Sequence, residues 1–314
     1  MGDITQFPDQ YDRLIRMGKV ALNQQNWQQA CDHFEAAYQL EQTLSANLLW
    51  ASALIEAGDP QTALTIVEEQ QADYLQQTDL VRFYLALLLN NHRFITANQV
   101  WEALRHATIA PQVIKTLRMM ITAAELEYQA NHQATIQKQA EGLYNLTAHP
   151  LAEQLAMLTQ AEQLPRNVYV TSIAPILTNP YSHAFVKTTV IETLVQLNIE
   201  QLVTMQWFEQ TKTFVPADIQ LMEESPTFNA VLAALNEQLA TEDPTLLAQV
   251  MADVEMGFAY LYPFEAGIMY NPTEWAQAWL KQLLGSDYTA SVVISEKTED
   301  WGKKLQEMTG KLDF

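Results

Sequence analysis

The segment from Trp27 to Ala37, with the sequence WQQACDHFEAA, decides the fold class of this chain. In an α-helix, Ala30 and Phe34 lie on the same face one turn apart, so a small apolar side chain is followed there by a large one. The preceding stretch supplies an apolar face with helical spacing: Leu14, Met17, Gly18 and Ala21. Together they predict two closely packed antiparallel helices, with Gly18 facing Ala30 at the tightest contact.

Two later segments repeat this arrangement, namely Gly58–Ala63 (GDPQTA) and Phe94–Trp101 (FITANQVW). The alanines Ala30, Ala63 and Ala97 are spaced 33 and 34 residues apart. A fixed period of this length is typical of helical pairs that stack into a solenoid. The large side chains of the pattern are expected in the core: Trp27, Phe34 and Trp101.

These residues resemble the tetratricopeptide repeat (TPR), a motif of about 34 residues that forms two antiparallel helices. Residues 11–44 match it best, and residues 44–77 and 78–111 match more loosely. A fourth pair of helices, residues 115–148, keeps the helical period without the signature, and is either a degenerate repeat or a cap. An unrelated helical bundle is the alternative.

The domain organisation expected from these patterns is a TPR-like region at 9–148, with three clear repeats and one degenerate, followed by a helical domain at 149–314. Residues 168–180 form either a helix or an irregular connector, and the tail after Gly285 forms a short helix or no regular structure. Three further helices should start where a capping side chain precedes proline: Ser225-Pro226, Asp243-Pro244 and Asn271-Pro272.

A change of period from helical to alternating predicts a β-hairpin near residues 202–216. Val203–Phe208 and Thr211–Val215 are rich in β-branched and aromatic residues, and Glu209-Gln210 is expected to form the turn between them. The expected fold class is therefore mostly α: an N-terminal TPR-like helical solenoid, then an α-helical C-terminal domain containing one β-hairpin. With the Leu261–Phe264 stretch (LYPF), the whole chain resembles uncharacterised TPR proteins of low-GC Gram-positive bacteria.

The composition narrows the possible partners. The 314 residues carry a formal net charge of −20, which disfavours binding to nucleic acid or to anionic membrane surfaces. A protein or peptide partner with a basic patch is favoured, unless the charge serves only solubility. The single cysteine, Cys31, is expected to be a partly buried thiol, and the N-terminus shows no secretory signal, so a cytoplasmic location is expected.

Catalytic and metal-binding patterns are missing from the sequence. No HExxH, GxSxG, GxGxxG or GxxxxGK[ST] motif occurs, and the six histidines lack metal-ligand spacing. We therefore expect no catalytic residue, no metal and no cofactor. An enzyme, a hydrolase or transferase with its site at the junction of the two halves, is the alternative.

The expected function is a non-catalytic scaffold or adaptor that binds a peptide or helix of another protein. A TPR array leaves a concave groove lined by the first helix of each repeat, and the phase of the alanines assigns its lining residues. We call this set the predicted groove: Ile15, Lys19, Leu22, Asn23, Leu48, Ser52, Ile55, Arg82, Leu89 and Asn90. Alternatives are that the chain's own C-terminal helices fill the groove, or that the solenoid self-associates. The oligomeric state, monomer or weak dimer, is left open.

Overall fold

The computed structural model describes residues 8–107, 109–240, 243–285 and 288–309. Contacts within the chain divide it into two compact units. The first consists of Met1–Ala140 with Gln160–Tyr169, and the second of Glu141–Thr159 with Val170–Phe314. The domain ranges 9–148 and 149–314 stay predictions.

The first half of the chain is built from consecutive helices. Their bounds are α1 Pro8–Asn23, α2 Trp27–Leu40, α3 Leu44–Glu56, α4 Pro60–Glu68, α5 Gln71–Tyr74, α6 Thr78–Asn90, α7 Phe94–Arg105, α8 Pro111–Asn131 and α9 Gln133–Tyr144. The three predicted repeats correspond to the pairs α1–α2, α3–α4 and α6–α7, and the degenerate pair to α8 and α9. From α1 to α7, each helix packs against the next one or two in the chain, as expected of a solenoid.

The three pairs share one turn geometry. Gln25, Gly58 and His92 each have a positive φ, of 60°, 84° and 57°, two residues after the last residue of the first helix of a pair. In each turn the next N–H bonds the carbonyl five residues back, as Asn26 N does with Ala21 O at 2.9 Å and its equivalents do after α3 and α6. This is the Schellman motif, whose left-handed residue is usually glycine. The positive-φ residues recur with the same 33- and 34-residue spacing as the alanines.

Glycine at the first of these turns should stabilise the protein. A non-glycine residue in the left-handed region costs about 1–2 kcal/mol, so Gln25→Gly should raise the free energy of unfolding by about 0.5–1 kcal/mol, after the entropy that glycine loses on folding. Gly58→Ala should lower it by a similar amount. Chemical denaturation of both variants measures the effect, and equal stability of all three proteins would contradict the argument.

The repeat cores follow the predicted phase, with two corrections. Ala30, Ala63 and Ala97 are each 0% exposed, which confirms that they mark the helix contacts. A Cβ on Gly18 would lie 2.5 Å from Phe34 Cε1, so Gly18 faces the Phe34 ring and not Ala30, because the bulkier side chain reaches the glycine first. Not all of the predicted core is buried either: Phe34 is fully enclosed, whereas Trp27 and Trp101 are partly exposed and Met17 is exposed.

A buried polar network joins α7, α8 and the residue that begins the helix at Arg166. Glu125 Oε1 accepts hydrogen bonds from Asn98 Nδ2 and from the backbone N–H of Arg166, both at 2.9 Å. Arg118 donates to Asn98 Oδ1 at 2.6 Å. Asn98 is fully enclosed and Glu125 is 9% exposed, so the network pairs polar atoms that water cannot reach. Asn98 Nδ2 has one further acceptor, the carbonyl of Phe94 at 2.8 Å.

The remaining elements are also mostly helical. They are α10 Leu151–Ala161, α11 Arg166–Thr178, α12 Ala184–Gln196, β1 Val203–Trp207, β2 Gln210–Phe214, α13 Pro226–Leu239, α14 Pro244–Leu261, α15 Pro272–Leu284 and α16 Glu296–Thr309. The stretch 168–180 is therefore largely helix, with Pro175 inside α11, and the tail contains a helix. The three predicted helix starts are confirmed, since each capping side chain accepts the backbone N–H three residues on: Ser225, Asp243 and Asn271.

The hairpin is confirmed, and its turn lies one residue earlier than predicted. Trp207 pairs with Gln210, so the two-residue loop is Phe208-Glu209 and not Glu209-Gln210. Phe208 adopts a φ of 51°, a conformation that aromatic residues rarely take. The sequence pattern gave no reason to place a turn at a phenylalanine, which explains the shift.

The hairpin packs by its apolar face onto the LYPF stretch. Phe264 contacts Trp207 and Phe214, with ring centroids 5.4 and 6.0 Å apart. Tyr262 is 2% exposed and donates to the carbonyl of Gln220 at 2.9 Å. An isolated two-stranded hairpin is marginally stable in water, so these contacts with the second unit support it.

Candidate partner-binding site

The predicted groove residues lie on the first helices of the three repeats, α1, α3 and α6. Lys19, Asn23, Arg82 and Asn90 are exposed. The apolar members are only partly exposed, and Leu89, at 9% exposure, contributes little surface because it packs within α6 and its neighbours. The accessible part of the set therefore consists of exposed polar side chains and of four partly exposed apolar ones: Ile15, Leu22, Leu48 and Ile55.

The two cations of the predicted groove carry no internal counter-charge. Among the residues that the structure describes, neither Lys19 nor Arg82 forms an ion pair with a carboxylate. Exposed carboxylates on the same three helices accompany them: Asp12, Glu56 and Asp79. Charged side chains of both signs are thus available to a molecule that lies along α1, α3 and α6.

The hydroxyl of Ser52, in the middle helix of the set, forms its hydrogen bond within its own helix. Its hydroxyl donates to the carbonyl of Leu48 at 2.7 Å, a common arrangement for serine inside a helix. The side chain holds no other element in place, so it is a suitable position for a probe.

A relative among curated proteins extends the likeness beyond the repeats. The chain is 25% identical over 284 residues to the TPR repeat-containing protein YsoA of Bacillus subtilis (strain 168), and the alignment covers 88% of this chain and 84% of that protein. The resemblance to TPR proteins of low-GC Gram-positive bacteria is confirmed. No family model matches the chain, and no solved structure matches it. Since the alignment spans most of both chains, the likeness to that protein includes the part that follows the repeats.

The second helix pair, α3 and α4, is held together by a side chain that the sequence pattern did not single out. Asn47 is fully enclosed, and its Nδ2 donates to the carbonyl of Ile66 at 2.7 Å. Its Oδ1 accepts from the hydroxyl of Tyr74 at 2.8 Å. Burial raises the pKa of Tyr74 well above its usual range, so that hydroxyl stays a donor. A polar residue on an otherwise apolar face of α3 was the available signal.

The possible reactive groups of the chain include Cys31 and the metal-ligating residue types. Cys31 is 4% exposed, and burial, with a contribution from Asp32, raises the pKa of its thiol. A protonated, enclosed thiol is a poor nucleophile. Within the described ranges, no group of three His, Cys, Asp or Glu side chains is arranged to hold a metal ion, and no helix is long and apolar enough to cross a bilayer.

Proposed function

We propose that the protein is a non-catalytic scaffold that binds an amphipathic helix or peptide of another protein along α1, α3 and α6. The TPR likeness supports a protein-interaction scaffold in general. The observation that carries the proposal is the partial exposure of four apolar side chains on these helices, together with two exposed cations, Lys19 and Arg82, that form no ion pair with any described residue. We infer that the four form one apolar strip: Ile15, Leu22, Leu48 and Ile55. A strip of this kind suits the apolar face of a helix, which docks through side chains spaced three and four residues apart.

The net charge of the chain indicates what should border that apolar face. The whole chain is strongly acidic, whereas α1, α3 and α6 themselves carry exposed charges of both signs: Asp12, Arg13, Arg16, Lys19, Glu56, Asp79 and Arg82. A partner with basic residues beside its apolar stripe would be drawn to this surface by long-range attraction. Binding should therefore weaken as salt is added.

Charge reversal tests whether these helices bind the partner. Lys19→Glu/Arg82→Glu should reduce recovery of a defined protein from the native cell extract by about tenfold or more, because it removes the hydrogen-bond donors that these side chains supply at the contact and leaves the partner's acceptors unpaired. Lys115→Glu/Lys138→Glu is the matched control, since both lysines are exposed on α8 and α9 and the net charge changes equally. Equal loss with both variants would mean that net charge, and not this surface, controls binding.

A photo-crosslinker locates the contact directly. With p-benzoylphenylalanine at Ser52, we expect covalent capture of the same protein that the pull-down enriches. The control position is Thr65 on α4, which is exposed and whose hydroxyl likewise bonds a carbonyl of its own helix. Capture at Thr65 and not at Ser52 would place the partner on the second helices and refute the proposal.

A further inference from the structure

The second unit contains a cavity of about 320 Å³ that lies between α12, the hairpin, α14 and α16. Its wall includes Ser182 from the segment before α12, Lys187 from α12, Phe208 from the hairpin turn, Tyr260 from α14 and Lys304 from α16. This volume is at the lower end of the range for cavities that bind small organic molecules.

Hydrogen-bond donors in the wall are left without acceptors. Ser182 is 8% exposed, and its hydroxyl has no hydrogen-bond partner among the described residues. Trp207, 5% exposed, likewise has an indole N–H without a partner. Buried polar side chains are nearly always paired, so two unpaired groups in one wall indicate a missing acceptor.

Lys187 adds a cation to these donors. It is 8% exposed, and its Nζ donates to the carbonyl of Gln206 at 2.8 Å. An ammonium group has three donors, and this bond uses one. Burial lowers the pKa of Lys187 to about 8, which reflects the cost of keeping a charge there without an anion nearby. Buried charges are usually paired.

Lys304 is a second cation at the same cavity. Its Nζ lies 4.4 Å from the ring centroid of Phe208 and 5.0 Å from that of Trp301. Within the described part of the chain, neither Lys187 nor Lys304 forms an ion pair with a carboxylate. Glu209 also lines the cavity and is exposed at the hairpin turn, so the wall carries two cations and one carboxylate.

The rest of the wall is apolar and aromatic. It consists largely of Met205, Trp207, Phe208, Ala259, Tyr260 and Met308. Phe208 keeps its left-handed backbone conformation while its ring packs edge-to-face on Trp207 and Trp301, at 4.8 and 5.2 Å. Strained residues of this kind occur preferentially at ligand sites.

We propose that this cavity binds an organic carboxylate whose body is an aromatic or branched apolar group. The carboxylate accepts hydrogen bonds from Lys187 and from the unpaired Ser182 hydroxyl, with Lys304 at the entrance, and the apolar body contacts Phe208 and Tyr260. A singly charged ligand fits best, because Glu209 repels a second negative charge. The site is separate from the predicted groove and stands independently of the proposed scaffold function.

Calorimetric titration of the full chain with 3-phenylpropionate tests the charge requirement. Saturable binding is expected, and 3-phenylpropionamide, a neutral molecule of the same shape, should bind about tenfold or more weakly, because it lacks the charge-assisted hydrogen bonds. Propionate should also bind more weakly, because it lacks the ring. Equal binding of acid and amide, or no saturable binding of the acid at millimolar concentration, would overturn the proposal.

Two variants localise the binding. Lys187→Met should weaken 3-phenylpropionate about tenfold or more, whereas Lys297→Met should leave it unchanged, since Lys297 lies over the Tyr270 ring and not in the cavity wall. If Lys187→Met fails to fold, Ala184→Leu blocks the cavity from a partly exposed position in its wall. Undiminished binding by whichever of the two variants folds would refute the site.

The source of the carboxylate, a free acid or the C-terminus of a polypeptide, is distinguished by a further comparison. The peptide Ala-Ala-Ala-Phe and N-acetylphenylalanine present the same terminal group. Tighter binding of the peptide, lost when its C-terminus is amidated, would support the site with a polypeptide end as ligand. Equal or tighter binding of N-acetylphenylalanine would support it with a free acid as ligand. Amidated and free peptides that bind equally would contradict the carboxylate chemistry.

Discussion

Replacing Gly18 with alanine should destabilise the protein by about 1–3 kcal/mol, although alanine is the better helix former. The added Cβ would lie 2.5, 2.7 and 2.8 Å from three atoms of the Phe34 ring. That ring is fully enclosed and is rigid, so either the ring or helix α1 must shift. Denaturant titration of the variant gives the change in the free energy of unfolding.

Gly142→Ala is the matched control for Gly18→Ala. Gly142 also lies inside a helix, α9, but the nearest atom to its added Cβ is the flexible end of Met157, at an ordinary 3.6 Å. This variant should be up to about 1 kcal/mol more stable than the wild type. Effects of the same sign at both glycines would mean that helix propensity, and not the contact with Phe34, dominates at Gly18.

Removing the Glu125 side chain should cost about 3–5 kcal/mol. Glu125→Ala removes the acceptor of the Arg166 backbone N–H and of one of the two Asn98 Nδ2 hydrogens, the other of which bonds the carbonyl of Phe94. The charge of Arg118 then lies close to a network that has lost its carboxylate. Each donor left unpaired in the interior costs about 1–3 kcal/mol. The loss should appear as a lower midpoint of thermal and chemical unfolding.

Two companion variants separate the network from the helix that carries it. Glu127→Ala, at an exposed position two residues further along α8, should change stability by less than about 0.5 kcal/mol. Glu125→Gln keeps a carbonyl oxygen that can accept both hydrogen bonds, so it should recover much of the lost stability. If Glu125→Ala melts like Glu127→Ala, the network contributes nothing measurable.

The sequence was most informative where side-chain size alone decides the structure. Ala30, Ala63 and Ala97 were recognisable because only a small residue fits where two helices cross. The helix starts at Ser225, Asp243 and Asn271 were equally readable, since capping depends on the neighbouring backbone and not on distant parts of the chain.

Features that depend on the backbone or on distant contacts could not be read in the same way. Gln25 and His92 occupy left-handed positions with no glycine to mark them. Phe208 is a third such position, and for this reason the hairpin turn was predicted one residue too late. The partner of Gly18 depended on which side chain reaches furthest across the helix pair. In the predicted groove, periodicity placed residues on a helix face, but the burial of Leu89 depends on the packing of neighbouring helices. The cavity beside Lys187 gathers residues from four elements with no shared motif.

The recurrence of one turn at Gln25, Gly58 and His92 makes the first part of the chain modular. Because the chain leaves the first helix of each pair with the same backbone geometry, a cut at one of these points can be joined to another without altering the local path. Removing residues 58–91 would bring His92 directly after Ala57, in the position that Gly58 now holds. Duplication or loss of one period therefore changes the length of the array by whole helix pairs. Related proteins can then differ in the length of the array while the turn geometry at every junction stays the same.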